Sequence, residues 1–163
     1  EDNIQKAISL NKKVIEQIIY KCAKAKAMVV ERDEFDEKDI RIKLNFGHTL
    51  GHAIETASAY SGEYNHGESV AIGMILASDI ALRLDMLKMK DFLRIKNLIK
   101  KAGLPTTCNG VSLNEIKKSY GYDKKFVKGT NRLVLPRKIG KVEVVEDIPD
   151  ILIRTVLKDY VKK

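Results

Sequence analysis

All three histidines of this 163-residue chain lie within one short segment, and their spacing is the first sign of chemistry. His48 and His52 are four residues apart, so on a helix they lie one turn apart on the same face. Two imidazoles at this spacing are typical of a metal-binding pair, and Glu55 lies on the same side three residues later. Thr49 occupies the position where the H-E-x-x-H zinc motif has its glutamate, so that motif is incomplete here.

His66 begins a second segment and is followed by Gly67 and Glu68. The pattern predicts a helix N-terminus there, and the helix dipole disfavours a protonated imidazole, which keeps the ring able to bind a metal. Catalytic zinc sites commonly take three protein ligands and leave a fourth position open. The residue types leave two ligand sets open, namely all three histidines or two of them with a carboxylate. Histidines with ordinary structural partners are the alternative to a metal site.

Gly47 and Gly51 flank the first histidine inside a helical pattern. Glycine there costs up to about 1 kcal/mol relative to alanine, which suggests that another group approaches the backbone closely. That group is either a ligand or a tightly packed neighbouring helix. Glu55 is predicted either to orient His48 or His52 from behind or to form a plain surface salt bridge.

The hydrophobic pattern predicts the elements that would position these residues. Apolar residues three and four apart predict one long helix from Ile4 to about Val30 and another from about Ile40 to Ala59. The segment that begins at His66 is apolar on most sides, which is typical of a buried central helix. Further helices are predicted at about 90–102, from Ser112 and at about 149–161, with a β-hairpin over 132–136 and 141–145. The expected fold is mainly α, a single multihelical domain over residues 1–163 with one small β-hairpin near the C-terminus.

Composition excludes several classes of protein. The net charge of +8 indicates solvated helix faces first and a site for an anionic small molecule second. Nucleic acid is not an expected partner, because aromatic residues make up 6% and no motif pairs them with basic residues. No apolar run approaches the roughly 20 residues of a membrane span. Cys22 and Cys108 are far apart and without C-x-x-C spacing, which favours a reducing, cytoplasmic location.

Two motifs together resemble the 3-dehydroquinate synthase family, which belongs to the sugar-phosphate cyclases. They are Asn45-Phe-Gly-His-Thr-Leu-Gly-His-Ala-Ile-Glu55 and His66-Gly-Glu-Ser-Val-Ala-Ile-Gly-Met74. Further similar stretches cover nearly the whole chain: 26–30, Asp33-Glu34, 102–105, 123–125 and 132–136. The resemblance implies a two-domain enzyme of which this chain is the helical C-terminal domain. The family's N-terminal α/β domain binds NAD and supplies a glutamate metal ligand, and neither has a counterpart here.

The resemblance implies a role for individual residues. His48 and His66 match two ligands of a zinc (or cobalt) ion, and His52 matches a histidine that transfers protons near the substrate's phosphate. The residues expected to bind the anionic and polar ends of the substrate are Lys26, Arg41, Asn45 and Lys124, the last in preference to Lys125. The stretch between Asp33 and Arg41 departs from the family pattern by one extra residue, so Asp36 and Glu37 have no assigned role.

The implied activity of the full-length protein is that of a carbon–oxygen lyase in the shikimate pathway of aromatic amino acid biosynthesis. It would convert 3-deoxy-arabino-heptulosonate 7-phosphate to 3-dehydroquinate and phosphate with NAD and a divalent metal, as a homodimer. An inosose- or valiolone-forming cyclase is the alternative enzyme, although Arg41 together with Lys26 favours a substrate that carries a carboxylate. A catalytically inert binding or assembly module is the alternative of another class. The isolated chain is expected to be inactive and to bind zinc weakly.

Overall fold

The computed structural model describes residues 1–35, 37, 40–58, 62–122 and 131–162, with residues 121 and 122 described as backbone. The α-helices are α1 (Ile4–Ile8), α2 (Lys12–Arg32), α3 (His48–Ser58), α4 (His66–Arg83), α5 (Met89–Lys101), α6 (Leu113–Tyr122) and α7 (Asp150–Tyr160). A 3-10 helix spans Arg41–Asn45, and the strands are β1 (Cys108–Asn109), β2 (Arg132–Lys138), β3 (Lys141–Glu146) and β4 (Val161–Lys162). The prediction of a mainly helical domain with a small β-hairpin near the C-terminus is confirmed.

The prediction of one continuous helix from Ile4 to Val30 is wrong. Leu10 has a φ of 56°, which a right-handed helix cannot contain, so α1 ends before it. Asn11 then caps a new helix, because its side chain accepts a hydrogen bond from the backbone N–H of Val14 at 3.3 Å. The apolar spacing continues across this break, and periodicity alone therefore does not reveal it.

The helix predicted from Ile40 to Ala59 is also interrupted. The segment Arg41–Asn45 is a 3-10 helix, and Gly47 follows with a φ of +81°. A residue in this left-handed conformation excludes a continuous right-handed helix. His48 is therefore the first residue of α3 rather than a residue in the middle of a helix.

The buried central helix predicted from His66 is confirmed as α4. Its apolar side chains lie at the centre of the core, with Ile72, Ile75, Leu76 and Ile80 fully buried. Helices α3, α5 and α7 and strand β2 pack against it, while α6 packs on α3. Both helices that carry the histidines thus belong to the best-packed part of the fold.

The hairpin is formed by β2 and β3, which pair antiparallel with Val134 opposite Val144. A second, parallel pair between β1 and β4 was not predicted, because two-residue strands are too short to show a pattern. Cys108 in β1 is fully buried, and loss of solvation raises the pKa of its thiol to about 11. Cys22 is exposed on α2, and neither cysteine forms a disulfide.

Helix α2 has no buried residue along its 21 positions. It nevertheless carries exposed apolar side chains, among them Ile18, Ile19, Tyr20 and Met28. Within the described ranges, no helix is both long and apolar enough to cross a membrane. This uncovered helix is the most unusual feature of an otherwise well-packed domain.

Candidate metal and substrate site

The backbones of α3 and α4 touch at glycines. A Cβ atom on Gly73 would lie 2.0 Å from the carbonyl oxygen of Gly47, and one on Gly51 would lie 2.9 Å from the Cα of Val70. Real side chains do not tolerate such distances to backbone atoms. Of the two explanations for the glycines beside His48, the closely packed helix is therefore confirmed.

A capping box starts α4 next to His66. The Asn65 side chain accepts from the backbone N–H of Glu68 at 3.0 Å, and the Glu68 carboxylate accepts from the backbone N–H of Asn65 at 2.9 Å. His66 is thereby fixed in the first turn, as the sequence predicts. The Glu68 carboxylate holds the cap and is not the acidic group beside the histidines.

The three imidazoles form an equilateral triangle. The centroids of the His48, His52 and His66 rings are 5.5 Å apart in each of the three pairs. Two of the rings come from one face of α3 and the third from the start of α4, and the glycine contact brings these helices together. The structure therefore assembles all the histidines of the chain into one cluster.

The hydrogen bonds of the three rings differ. His48 Nδ1 donates to the carbonyl oxygen of Phe46 at 3.3 Å, and His66 Nδ1 donates to the carboxylate of Glu55 at 3.0 Å. Because a carbonyl and an ionised carboxylate can only accept, these bonds place the proton of the neutral ring on Nδ1 in both residues. Within the described part of the chain, His52 has ring contacts but no hydrogen bond.

Glu55 thus contacts a different histidine from those that the sequence suggests. Helical spacing pointed to His48 or His52, which share its helix, whereas its partner His66 lies on α4. Of the two alternatives for Glu55, an orienting contact to His48 or His52 and a surface salt bridge, the structure shows a solvent-exposed pair, and its partner is His66. Nothing in the spacing could have shown this, because the contact depends on how α3 and α4 pack.

The donor atoms of the cluster suit zinc or cobalt, which accept imidazole nitrogen and carboxylate oxygen. One possible ligand atom from each of His52, Glu55 and His66 lies within 4.8 Å of the others. Ligand atoms on a tetrahedral zinc ion are about 3.3 Å apart, so modest rotation of the side chains would bring these ligand atoms to the distance that zinc requires. This group differs from the pair of His48 and His66 that the resemblance implies, and the triangle accommodates either.

The expected substrate-binding residues are only partly gathered. Arg41 and Asn45 form the two ends of the 3-10 helix that leads into α3, and both are half-buried. Lys26 lies on α2, where its side chain is exposed. Lys124 and Lys125 lie outside the described residues.

Asp33 is a site residue whose role the sequence did not reveal. Its carboxylate is 2% exposed and accepts from the backbone N–H groups of Glu37 at 2.9 Å, Ile40 at 2.9 Å and Arg41 at 3.3 Å. These bonds hold the backbone from which the Arg41 guanidinium projects, and that guanidinium donates to the carbonyl oxygen of Glu34 at 3.3 Å. The position of Arg41 therefore depends on a buried carboxylate.

We predict that Asp33→Ala loosens this loop. Backbone donors left unpaired in a buried position cost about 1–3 kcal/mol of unfolding free energy. Amide hydrogen exchange at Ile40 and Arg41 should accelerate, while exchange in α4 should be less affected. Glu34→Ala is the matched control, because the exposed side chain is removed and the carbonyl oxygen that Arg41 contacts remains. Unchanged protection at Arg41 in Asp33→Ala would contradict the proposed anchoring.

Solved structures with the same fold are sugar-phosphate cyclases. A 2-deoxy-scyllo-inosose synthase, complexed with carbaglucose-6-phosphate, NAD⁺ and Co²⁺, matches 91% of this chain and 42% of its own with a TM-score of 0.78 and 28% identity. The 2-epi-5-epi-valiolone synthase of Streptomyces hygroscopicus, with NAD⁺ and Zn²⁺ bound, matches 97% of this chain and 44% of its own with a TM-score of 0.80. Its 19% identity shows likeness of fold alone.

Sequence comparison is more specific. Residues 1–126 match the family described as 3-dehydroquinate synthase C-terminal, and the chain belongs to this family. The 3-dehydroquinate synthase of Desulforamulus reducens is 44% identical over 158 residues, which cover 96% of this chain and 44% of that protein. That of Nostoc punctiforme is 44% identical over 146 residues, covering 89% of this chain and 40% of that protein. The chain thus spans less than half the length of these relatives.

Proposed function

We propose that this chain is the metal- and substrate-binding part of a 3-dehydroquinate synthase that converts 3-deoxy-arabino-heptulosonate 7-phosphate to 3-dehydroquinate and phosphate. The observation that carries this proposal is the histidine triangle, in which two rings donate hydrogen bonds from Nδ1 and the third has none to the residues that the structure describes. Relatives named 3-dehydroquinate synthase that are 37–44% identical support the choice of reaction.

In this proposal His48 and His66 bind the metal. Metal-ligating histidines almost always donate their second ring N–H to a carbonyl or a carboxylate, and both residues do so here. With the proton on Nδ1, each ring presents the lone pair of Nε2 to the ion. A glutamate from an NAD-binding α/β domain completes the ligand set, as the resemblance implies. A zinc or cobalt ion, when bound, acts as a Lewis acid that favours oxidation of a substrate hydroxyl by NAD.

His52 moves protons in this proposal. Its ring lies 5.5 Å from each of the other two, and among the described residues it has no hydrogen bond that would fix one tautomer, so it can both accept and donate. The substrate carries a carboxylate and a phosphate, and the planar fork of Arg41 is suited to bind either of them in a bidentate manner. Lys26 and Lys124 add positive charge, and Asn45 contributes an amide close to α3.

The uncovered helix α2 supports a further domain as partner. Together with Leu10 it lines an open groove of about 660 Å³, whose other lining residues are Lys12, Ile15, Glu16, Ile19 and Tyr20. An NAD-binding α/β domain packed on this face would bury the apolar residues and bring its own groups to Lys26. A homodimer remains a prediction from the resemblance, and a cytoplasmic location remains a prediction from the cysteine spacing.

Another sugar-phosphate cyclase reaction is the second candidate. The structural match to the 2-deoxy-scyllo-inosose synthase favours it, because the fold is closely similar at 28% identity. The guanidinium of Arg41, whose backbone N–H donates to the Asp33 carboxylate, favours the carboxylate-bearing substrate instead. An inert binding module is the third candidate, and the groove on α2 is the feature that would serve it.

The test is reconstitution of the enzyme. The chain would be mixed with the NAD-binding part of the Desulforamulus reducens relative, and phosphate release would be followed with NAD and zinc. We expect release from 3-deoxy-arabino-heptulosonate 7-phosphate, none from glucose 6-phosphate, and none from either compound with the chain alone. Preference for glucose 6-phosphate would support the inosose-forming alternative. Failure of the mixture to react with either compound, when the intact relative is active, would favour the inert module.

A further inference from the structure

The hydrogen bond between Glu55 and His66 joins the two helices that form the site. The Glu55 carboxylate comes from the second turn of α3, and it meets Nδ1 of the first residue of α4 at 3.0 Å. Both helices are held by backbone contact at Gly47 and Gly73, so the carboxylate is presented from a rigid element. The bond fixes which way the His66 ring faces.

We propose that Glu55 is a positioning residue that holds His66 in the Nδ1–H tautomer and turns its Nε2 towards the metal. This proposal rests on the proposed function for the role of His66 as a ligand. His48 donates from Nδ1 to the backbone carbonyl oxygen of Phe46, and this bond fixes the same tautomer. His66 is the first residue of its helix and its ring is exposed. The acceptor for its Nδ1–H is therefore a side chain, the Glu55 carboxylate.

Exposure argues against a purely structural role for the pair. The His66 and Glu55 side chains are 56% and 38% exposed, and ion pairs with so much solvent contact add little to stability. A neutral imidazole donating to a carboxylate has even less electrostatic attraction to contribute. The main effect of the bond is thus the tautomer and orientation of His66.

The distance is that of a hydrogen bond. The Glu55 oxygen lies 3.0 Å from Nδ1 of His66, a usual hydrogen-bond length. Nδ1 cannot bind an ion while it carries the proton of this bond, so the atom of His66 that can bind an ion is Nε2. In the arrangement seen here, Glu55 therefore lies behind the imidazole that we propose as a ligand.

The first test needs no metal. Because the chain has only three histidines, nitrogen NMR of their rings can be assigned with single substitutions at each one. The spectrum is recorded at alkaline pH, because the two ring nitrogens of a neutral imidazole are distinct and report the tautomer. We expect His66 to be protonated mainly at Nδ1, to lose this preference in Glu55→Ala and to keep it in Glu55→Gln, whose amide oxygen still accepts. An unchanged His66 tautomer in Glu55→Ala would overturn the proposal.

The second test measures zinc affinity by competition with a chromophoric chelator. Removing the partner of a metal-ligating histidine typically weakens binding 10–100-fold, which we expect for Glu55→Ala. Glu55→Gln should restore most of this loss, and Glu16→Ala, which removes an exposed carboxylate from α2, should bind as the unaltered chain does. If Glu55→Gln were as weak as Glu55→Ala, Glu55 would be a ligand and the proposal would be wrong. If no zinc bound even after addition of the NAD-binding part that supplies the third ligand, the proposed function would lose its metal site, and the tautomer measurement would still decide the role of Glu55.

Discussion

Gly73→Ala is expected to destabilise the domain by about 3 kcal/mol. The new Cβ would lie 2.0 Å from the carbonyl oxygen of Gly47 and 2.7 Å from the backbone nitrogen of Gly51, so α3 and α4 must move apart. Because the clash is with backbone atoms, the cost of overpacking lies above its usual range, at about 4 kcal/mol, and the better helix propensity of alanine returns about 1 kcal/mol. For a chain of this size the melting temperature should fall by about 6–12 °C in a thermal unfolding experiment.

Gly67→Ala is the matched control within the same helix. Among the described residues, a Cβ at Gly67 would meet the Asn65 side chain at 3.5 Å, which is an ordinary contact. We expect its melting temperature to stay within a few degrees of that of the unaltered chain. Equal melting temperatures for Gly73→Ala and Gly67→Ala would show that the contact between α3 and α4 is not as tight as described.

Replacement of His66 or His48 by alanine is expected to reduce zinc affinity on the order of 100-fold or more. Structural zinc sites gain about 10–16 kcal/mol from four ligands, so each ligand accounts for roughly 3 kcal/mol. His52→Ala should change zinc affinity only a few-fold, because in the proposed site His52 transfers protons and does not bind the ion. Calorimetric titration of zinc into the three variants gives the comparison directly.

These variants also decide between the two ligand sets that the geometry allows. If His52→Ala lost zinc as severely as His66→Ala, while His48→Ala retained it, the ion would be held by His52, Glu55 and His66. Thermal unfolding of each variant would show that the helices remain packed. The experiment thus distinguishes a site that contains the hydrogen-bonded ring of His48 from a site formed by His52, Glu55 and His66, whose ligand atoms lie within 4.8 Å of one another.

The sequence predicted those parts of the fold that depend on burial over many residues. The central helix α4 is apolar on most sides because it is surrounded by other elements, and this shows directly in its composition. The breaks at Leu10 and Gly47 were missed, because each depends on a single residue with positive φ inside an uninterrupted apolar pattern. Local conformations of this kind are decided by the packing of the whole domain rather than by periodicity.

The candidate site likewise has features that the sequence predicts and features that only the structure shows. The spacing of His48 and His52 predicts that they share one helix face, and the resemblance of both motifs to one family predicts that His66 lies near them. The bond from Glu55 to His66 and the anchoring of Arg41 by Asp33 join residues that are 11 and 8 positions apart across loops. No regular element relates such residues, so their contacts became evident only in three dimensions.

The contact between Gly47 and Gly73 has a consequence for the thermodynamics of metal capture. Because the two helices meet backbone to backbone, folding alone sets the separation of their histidines, and little conformational entropy is left for the ion to remove. Binding should therefore have a small heat-capacity change and should order few additional residues. A preorganised cluster of this kind would bind its ion with little rearrangement, and its affinity would be limited by the number of ligands that it supplies.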